Sequence, residues 1–193
     1  MNPRTIRIQD CRSNPPTLLA GELVRDFPDT SFPDVERLWS PERLRLPLHA
    51  QHSHWNWVRK MGTTSFQFLA VRVGGSVEGL AAVWRNPHPS LLTTTAHAVE
   101  LAILEGAPWN VDGHPDGIRY QGVGTALLIE TVLISREAGH AGRLRLSALP
   151  QAEDWYRRRG MTEVGSQYPG GLVYFEYTQT QADSLLARYG VIP

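Results

Sequence analysis

The stretch RYQGVGTALLIE, residues 119–130, sets two glycines one residue apart directly before an apolar run at helical spacing. It is either a tight turn feeding a helix or a main chain stripped of side chains so that phosphate can approach. Spacing separates the phosphate-binding patterns. A Walker loop counted from Gly117 to Gly122 would need Lys and Ser or Thr next, where Val123 and Gly124 stand. A dinucleotide fingerprint would need Gly or Ala at position 127, which is Leu127. Arg119-Tyr120-Gln121-Gly122-Val123-Gly124 does satisfy Arg/Gln-x-x-Gly-x-Gly/Ala at every specified position. A diphosphate resting on a helix N-terminus needs several backbone N–H groups and no Cβ in the way, which glycines at 122 and 124 allow through close approach and unusual dihedrals. Arg119 adds a charge-assisted contact.

The flanking sequence predicts where this turn sits. TIRIQ (5–9) alternates like an opening strand, but residues 1–45 are rich in proline and polar breakers and predict short pieces rather than a core. Ser40-Pro41-Glu42 reads as an N-cap with proline at the first helical position, starting a helix that runs to about Met61 and carries His49, His52, Trp55 and Trp57. FQFLAVRV (66–73), a Gly74-Gly75 turn and SVEGLAAVW (76–84) predict a hairpin, and AHAVELAILEG (96–106) a third strand. Val123, Ala126, Leu127, Ile129, Leu133 and Ile134 mark a helix buried on a broad face. RLRLSAL (143–149) is a short strand. PQAEDWYRRRGM (150–161) is a helix entered by Pro150 and stopped by Gly160. GLVYFEY (171–177) is a last strand, and Thr180 is the expected cap of a closing helix that Gly190 ends.

Bulk properties narrow the class. The 193 residues are 41% apolar and 20% charged, with nineteen basic residues balancing nineteen acidic ones. Such a chain is a globular protein, and its neutral balance gives no general attraction to nucleic acid or membrane. The N-terminus lacks the apolar core of a signal peptide, and no run reaches the roughly 18 apolar residues of a membrane span, so a cytoplasmic location is expected. The lone Cys11 has no partner for an internal disulfide. Two metal-like patterns fail on geometry. His54 lies two residues from His52 and turns away from it on a helix, and Asp112-x-His114-x-Asp116-Gly117 places Val123 where a calcium loop needs glutamate. No metal is expected.

AHAVELAILEG, RYQGVGTALL and AEDWYRRRGM stand in the order used by the GNAT superfamily of acyl-CoA-dependent N-acyltransferases, which the chain resembles over roughly residues 65–178. The second specific piece is Ala-x-x-aromatic-Tyr-x-x-x-Gly at Ala152, Trp155, Tyr156 and Gly160, followed by Met161. The resemblance implies an α+β fold: a mixed, mainly antiparallel sheet with helices on both faces, splayed between the family's fourth and fifth strands. One domain is expected, with a helical elaboration over 1–62, the sheet and cofactor motifs over 63–178 and a C-terminal helix over 179–190.

The implied activity is transfer of an acetyl group from acetyl-CoA, a co-substrate, to an amine by direct attack in a ternary complex. Amides from Gln121 through Gly122, Val123 and Gly124 to Thr125, with Arg119, would hold the diphosphate. Leu104 and Gly106 would line the pantetheine, with an oxyanion-binding N–H between Leu104 and Ala107. Tyr156 occupies the family's general-acid position, and Glu100 or Glu105 is the base. Glu100 shares a strand face with Ala102 and Leu104, and Glu105 has the opposite parity unless a bulge intervenes. Two departures stand out. Leu149 replaces an asparagine frequent in the family, and the linker APWNVDGHPDGI (107–118) is long. The expected partner is a small-molecule or peptide amine, with neither nucleic acid nor membrane, and a homodimer is compatible with the pattern. The alternative is a non-catalytic acyl-CoA-binding module.

Overall fold

The computed structural model describes residues 3–47, 56–166 and 171–191. The chain divides into two compact units, Met1–Ala82 with Ile103–Leu127, and Val83–Ala102 with Leu128–Pro193. Among the described residues, the fold has ten strands and four α-helices and is of the α+β class.

The first unit contains β1 (Arg4–Asp10), β2 (Thr17–Arg25), α1 (Phe32–Arg43), β3 (Phe66–Val73), β4 (Ser76–Trp84, as far as Ala82) and β7 (Tyr120–Gln121). It also holds the end of β6 (His97–Gly106) and the start of α2 (Val123–Glu137). Its strand order is β7-β1-β2-β3-β4, with β7, β1, β2 and β3 successively antiparallel. β3 and β4 are buried along nearly their whole length, as strands covered on both faces must be. α2 is seated close on β4 because Gly79 has no side chain: a Cβ there would collide with Val123 and come within 3.2 Å of Leu127.

Residues 1–45 correct the sequence reading, because they form two strands and a helix whose buried side chains join the core of the first unit. The helix starts at Phe32, not Ser40. Phe32, Val35 and Trp39 recur at i, i+3 and i+7 and are buried, so the apolar stripe fixes the start. Pro33 lies in the first turn, where its missing N–H costs nothing, and Pro41 lies inside the helix near its end. Phe32 meets Phe68 edge-on at 4.9 Å and Trp57 at 5.5 Å. Trp57 belongs to a 3-10 turn, Trp57–Lys60. The predicted helical residues His49, His52 and Trp55, like His54, lie outside the described residues.

The second unit holds β5 (His88–Pro89), the first part of β6, β8 (Leu144–Ala148), α3 (Glu153–Arg158), β9 (Thr162–Gly165), β10 (Val173–Tyr177) and α4 (Gln179–Arg188). The order is β6-β8-β10-β9, with β5 on β6. β6 and β8 are parallel, and the other pairs are antiparallel. Thr178 caps α4 rather than Thr180: Thr178 and Gln181 exchange the two hydrogen bonds of a capping box. No helix among the described residues is long and apolar enough to cross a membrane.

One local separation lies within the second unit. β6 pairs with β8 only through Val99 with Leu144 and Glu100 with Arg145, although β8 continues to Ala148. Among the described residues, Leu101 and Ala102 have no partner on β8. The two strands part there, as the resemblance implied.

Candidate active site

The glycine turn lies in the first unit at a strand-to-helix junction. Tyr120 and Gln121 pair with Asp10 and Gln9 of β1, and α2 begins at Val123. Gly122 bridges the two at φ +95°, which an L side chain rarely adopts. A Cβ at Gly122 would touch only the tip of Ile8, at 3.9 Å, so dihedral strain rather than crowding demands glycine. Gly124 is not among the positive-φ glycines, so the unusual-dihedral argument holds for Gly122 alone. The first helical bond runs from the Ala126 N–H to the Gly122 carbonyl at 2.9 Å. The amides of Gly122, Val123 and Gly124 therefore precede any intrahelical acceptor and form the positive end of α2.

The long linker is anchored at both ends. The Trp109 indole and the Asn110 amide donate to the buried Glu78 carboxylate at 2.6 and 2.9 Å. Asn110 Oδ1 then accepts the Tyr120 N–H at 2.9 Å, and the Arg119 N–H donates to the Trp109 carbonyl at 2.9 Å. Burial pushes the Glu78 carboxyl up, against the pull of these donors. The tip of the linker is tied to α1 and the turn after it, where His114 meets Glu42 at 3.2 Å and Arg45 meets Asp116 at 2.7 Å. Arg119 places its guanidinium over the Trp109 ring, 4.8 Å from the centroid.

The two glutamates of β6 face opposite ways, and burial alternates along the strand from Val99 to Gly106. Val99, Leu101, Ile103 and Glu105 are buried, while Glu100, Ala102, Leu104 and Gly106 are half-exposed. Glu105, in the first unit, has a side chain only 1% exposed. Its Oε1 accepts from Arg43 Nε at 2.8 Å, and its Oε2 accepts from Trp57 Nε1 at 2.7 Å and Arg43 Nη2 at 3.1 Å. The same guanidinium reaches Glu36 at 2.6 Å, and Glu36 also accepts the Trp57 N–H at 2.7 Å and the Ser40 hydroxyl at 2.8 Å. Burial pushes Glu105 up. Glu36, more richly supplied with donors, ends below its ordinary value despite its own burial.

In the second unit, Glu100 accepts from Arg145 Nε at 2.7 Å and Nη2 at 2.6 Å, and His88 Nδ1 lies 3.8 Å away. Arg145 Nη1 also donates to the Pro89 carbonyl at 3.0 Å. The pair sits on the last hydrogen-bonded row before β6 and β8 separate. Tyr156, on α3, is buried between Trp155, edge-on at 4.9 Å, and Phe175, at 5.8 Å. Desolvation pushes its hydroxyl well above the usual tyrosine value, against the nearby positive charge of Arg159. Two of the three arginines at the end of α3 are tied down on their own unit. Arg157 bonds Glu153, Asp154 and Glu163, and Arg159 covers Trp155 at 3.4 Å.

Sequence reading did not find Glu36, Arg43, Glu78, Trp109 or Arg145 as parts of these arrangements. A carboxylate inside an apolar strand was the available signal, since Glu78 in SVEGLAAVW and Glu105 in LAILEG both need buried donors.

No family model matches the chain, and no curated protein matches it by sequence. Several solved structures are similar in fold. A bacterial toxin superposes with a TM-score of 0.58 at 14% identity, covering 86% of this chain and 95% of its own. The PaiA N-acetyltransferase of Thermoplasma acidophilum, solved in complex with coenzyme A, gives 0.54 at 14% identity, covering 83% and 99%. An acetyltransferase from Thermus thermophilus gives 0.51 at 15% identity, covering 80% and 96%. At such identities the likeness is one of architecture. The chain has the GNAT fold, as its motifs implied.

Proposed function

We propose that this protein is an N-acetyltransferase that uses acetyl-CoA as co-substrate and transfers its acetyl group to an amine. The observation that carries the reading is the Gly122 turn, which leads a strand into α2 at a dihedral reserved for glycine and leaves the first amides of the helix without helical acceptors. The fold shared with acetyltransferases supports it. The amides from Gln121 to Thr125, with Arg119, hold the diphosphate. The main chain at Leu104 and Gly106 guides the pantetheine. The single domain expected from the sequence is part of this proposal.

The amine attacks the thioester carbonyl, the tetrahedral intermediate collapses, and the departing thiolate takes a proton from Tyr156. Burial keeps this hydroxyl protonated across the neutral range, as a general acid must be before it donates. Glu100, the glutamate an incoming amine can reach, takes the proton that nitrogen loses, directly or through water, and solvent returns a proton to Tyr156 after the thiol leaves. Both oxygens of Glu105 are already occupied by Arg43 and Trp57.

The test is Tyr156→Phe, with acetyl-CoA binding measured by calorimetry and thiol release followed across a panel of amines. Turnover is expected to fall about 10²–10⁴-fold while acetyl-CoA affinity stays within about twofold. Affinity without turnover on any amine in the wild type would instead support a non-catalytic acyl-CoA-binding module, and absent affinity would sink both.

A further inference from the structure

A cavity of about 330 Å³ opens in the first unit between α1, the tip of the linker and the end of β1. Three guanidiniums line it, those of Arg12, Arg45 and Arg119, along with Trp109 and His114. They are not equivalent. Arg45 is spent on Glu42 and Asp116, at 2.7 Å each, and His114 on Glu42. Two carboxylates share the one Arg45 guanidinium, so Arg45 has no charge left over for a ligand.

Among the described residues, Arg12 answers to one carboxylate and Arg119 to none, and both keep free donors. Arg12 gives Nε and Nη2 to Asp10, at 2.9 and 2.7 Å, and Nη2 also to the Tyr120 hydroxyl at 2.9 Å. Its Nη1 has no acceptor among the described residues. The Arg119 guanidinium has none either and rests on the Trp109 ring, which the bond to Glu78 fixes in place. Two planar forks, both stacked on aromatic rings, therefore face one cavity with donors to spare. A doubly charged oxyanion satisfies such a pair better than a single carboxylate can.

We infer that this cavity binds a phosphomonoester, with Arg12 as its own anion contact, Arg119 shared between it and the diphosphate on the α2 amides, and Trp109 as the wall beside it. Arg119 is three residues from Gly122, a chain span of at most about 10 Å. A ligand whose diphosphate lies on the α2 amides can thus present a second phosphate here, and the 3′-phosphate of coenzyme A has that relation to its diphosphate. The inference rests on the acetyl-CoA reading only for the molecule that carries the phosphate. A separate phosphorylated molecule is the other source.

Calorimetry at fixed ionic strength distinguishes them, using coenzyme A and 3′-dephospho-coenzyme A on the wild type, Arg12→Gln and Arg119→Gln, with thermal melts to confirm folding. The wild type is expected to prefer coenzyme A at least tenfold. Arg12→Gln should reduce that preference below threefold and leave affinity for the dephospho form within twofold. If the wild type binds both forms alike, or neither, inorganic phosphate is titrated against the Trp109 indole resonance. A saturable shift lost in Arg12→Gln assigns the phosphate to another molecule. No such shift overturns the site. Binding of neither coenzyme form refutes the acetyl-CoA reading, and the phosphate titration still decides the cavity.

Discussion

Glu100 and Glu105 stand five residues apart on one strand, and both are held by arginine, yet they live in different surroundings. Glu105 is closed off, with every oxygen bonded inside a cluster that joins α1, β6 and the Trp57 turn. Glu100 stands at the edge of a gap, beside the row where β6 and β8 cease to pair, and 21% of its side chain is open. Five is an odd number, and strand parity alone sends the two side chains to opposite faces. A buried carboxylate with fixed partners holds structure together, whereas a half-exposed one at a gap can exchange protons with what enters.

The contrast is broken most directly at the buried end. Glu105→Ala leaves Arg43 in the interior with Glu36 as its only carboxylate and should cost about 3 kcal/mol or more in urea unfolding. Unchanged stability with lost turnover would reverse the roles assigned to the two residues. Glu100→Gln should do the opposite: turnover falls about 10²-fold, as for loss of a general base, and stability falls less than in Glu105→Ala, because the amide oxygen can still accept and Arg145 keeps its bond to the Pro89 carbonyl. A fall in turnover of less than threefold would remove Glu100 from the chemistry.

Gly122 carries the next effect. Gly122→Ala places a Cβ at φ +95° in otherwise open space, so its cost is the left-handed backbone, about 1–2 kcal/mol. If the α2 amides hold the diphosphate, the variant raises KM for acetyl-CoA and leaves kcat almost unchanged. An unchanged KM would detach the turn from the cofactor.

What the sequence announced and what it hid follow the range of the forces involved. Strand β6, its parity, the Gly122 turn and α2 were legible because each is written within a dozen neighbouring residues. The Arg43–Glu105 cluster was not, since its members are 62 residues apart and only folding brings them together. The pairing of β7 with β1 was hidden for the same reason, because Asp10 and Tyr120 become neighbours only in the sheet. The start of α1 was misread on local evidence. Proline is acceptable in a first turn and tolerable in a last one, and Ser40-Pro41 offered the first reading where the burial of Phe32, Val35 and Trp39 required the second.

The smallest effect belongs to a third carboxylate–arginine pair, the most exposed of the series. Arg12 is 55% open, and its bonds to Asp10 hold that carboxyl down at about 2, against an ordinary 3.8. A depressed folded value means that the stabilisation is complete above 3.8 and fades as pH falls from there through about 2. Carbon-13 titration of the Asp10 carboxyl should therefore show a midpoint near 2, returning toward 3.8 in Arg12→Ala. Hydrogen exchange at the Cys11 amide, which donates to the Arg119 carbonyl at 2.9 Å, should quicken over the same acid range once the intrinsic pH dependence is removed. A midpoint at the ordinary value in the wild type would mean that the pair does not form in solution. The start of the glycine turn would then be held by the strand pairing of Gln9 and Asp10 alone, without the contact from Arg12 to the Tyr120 hydroxyl.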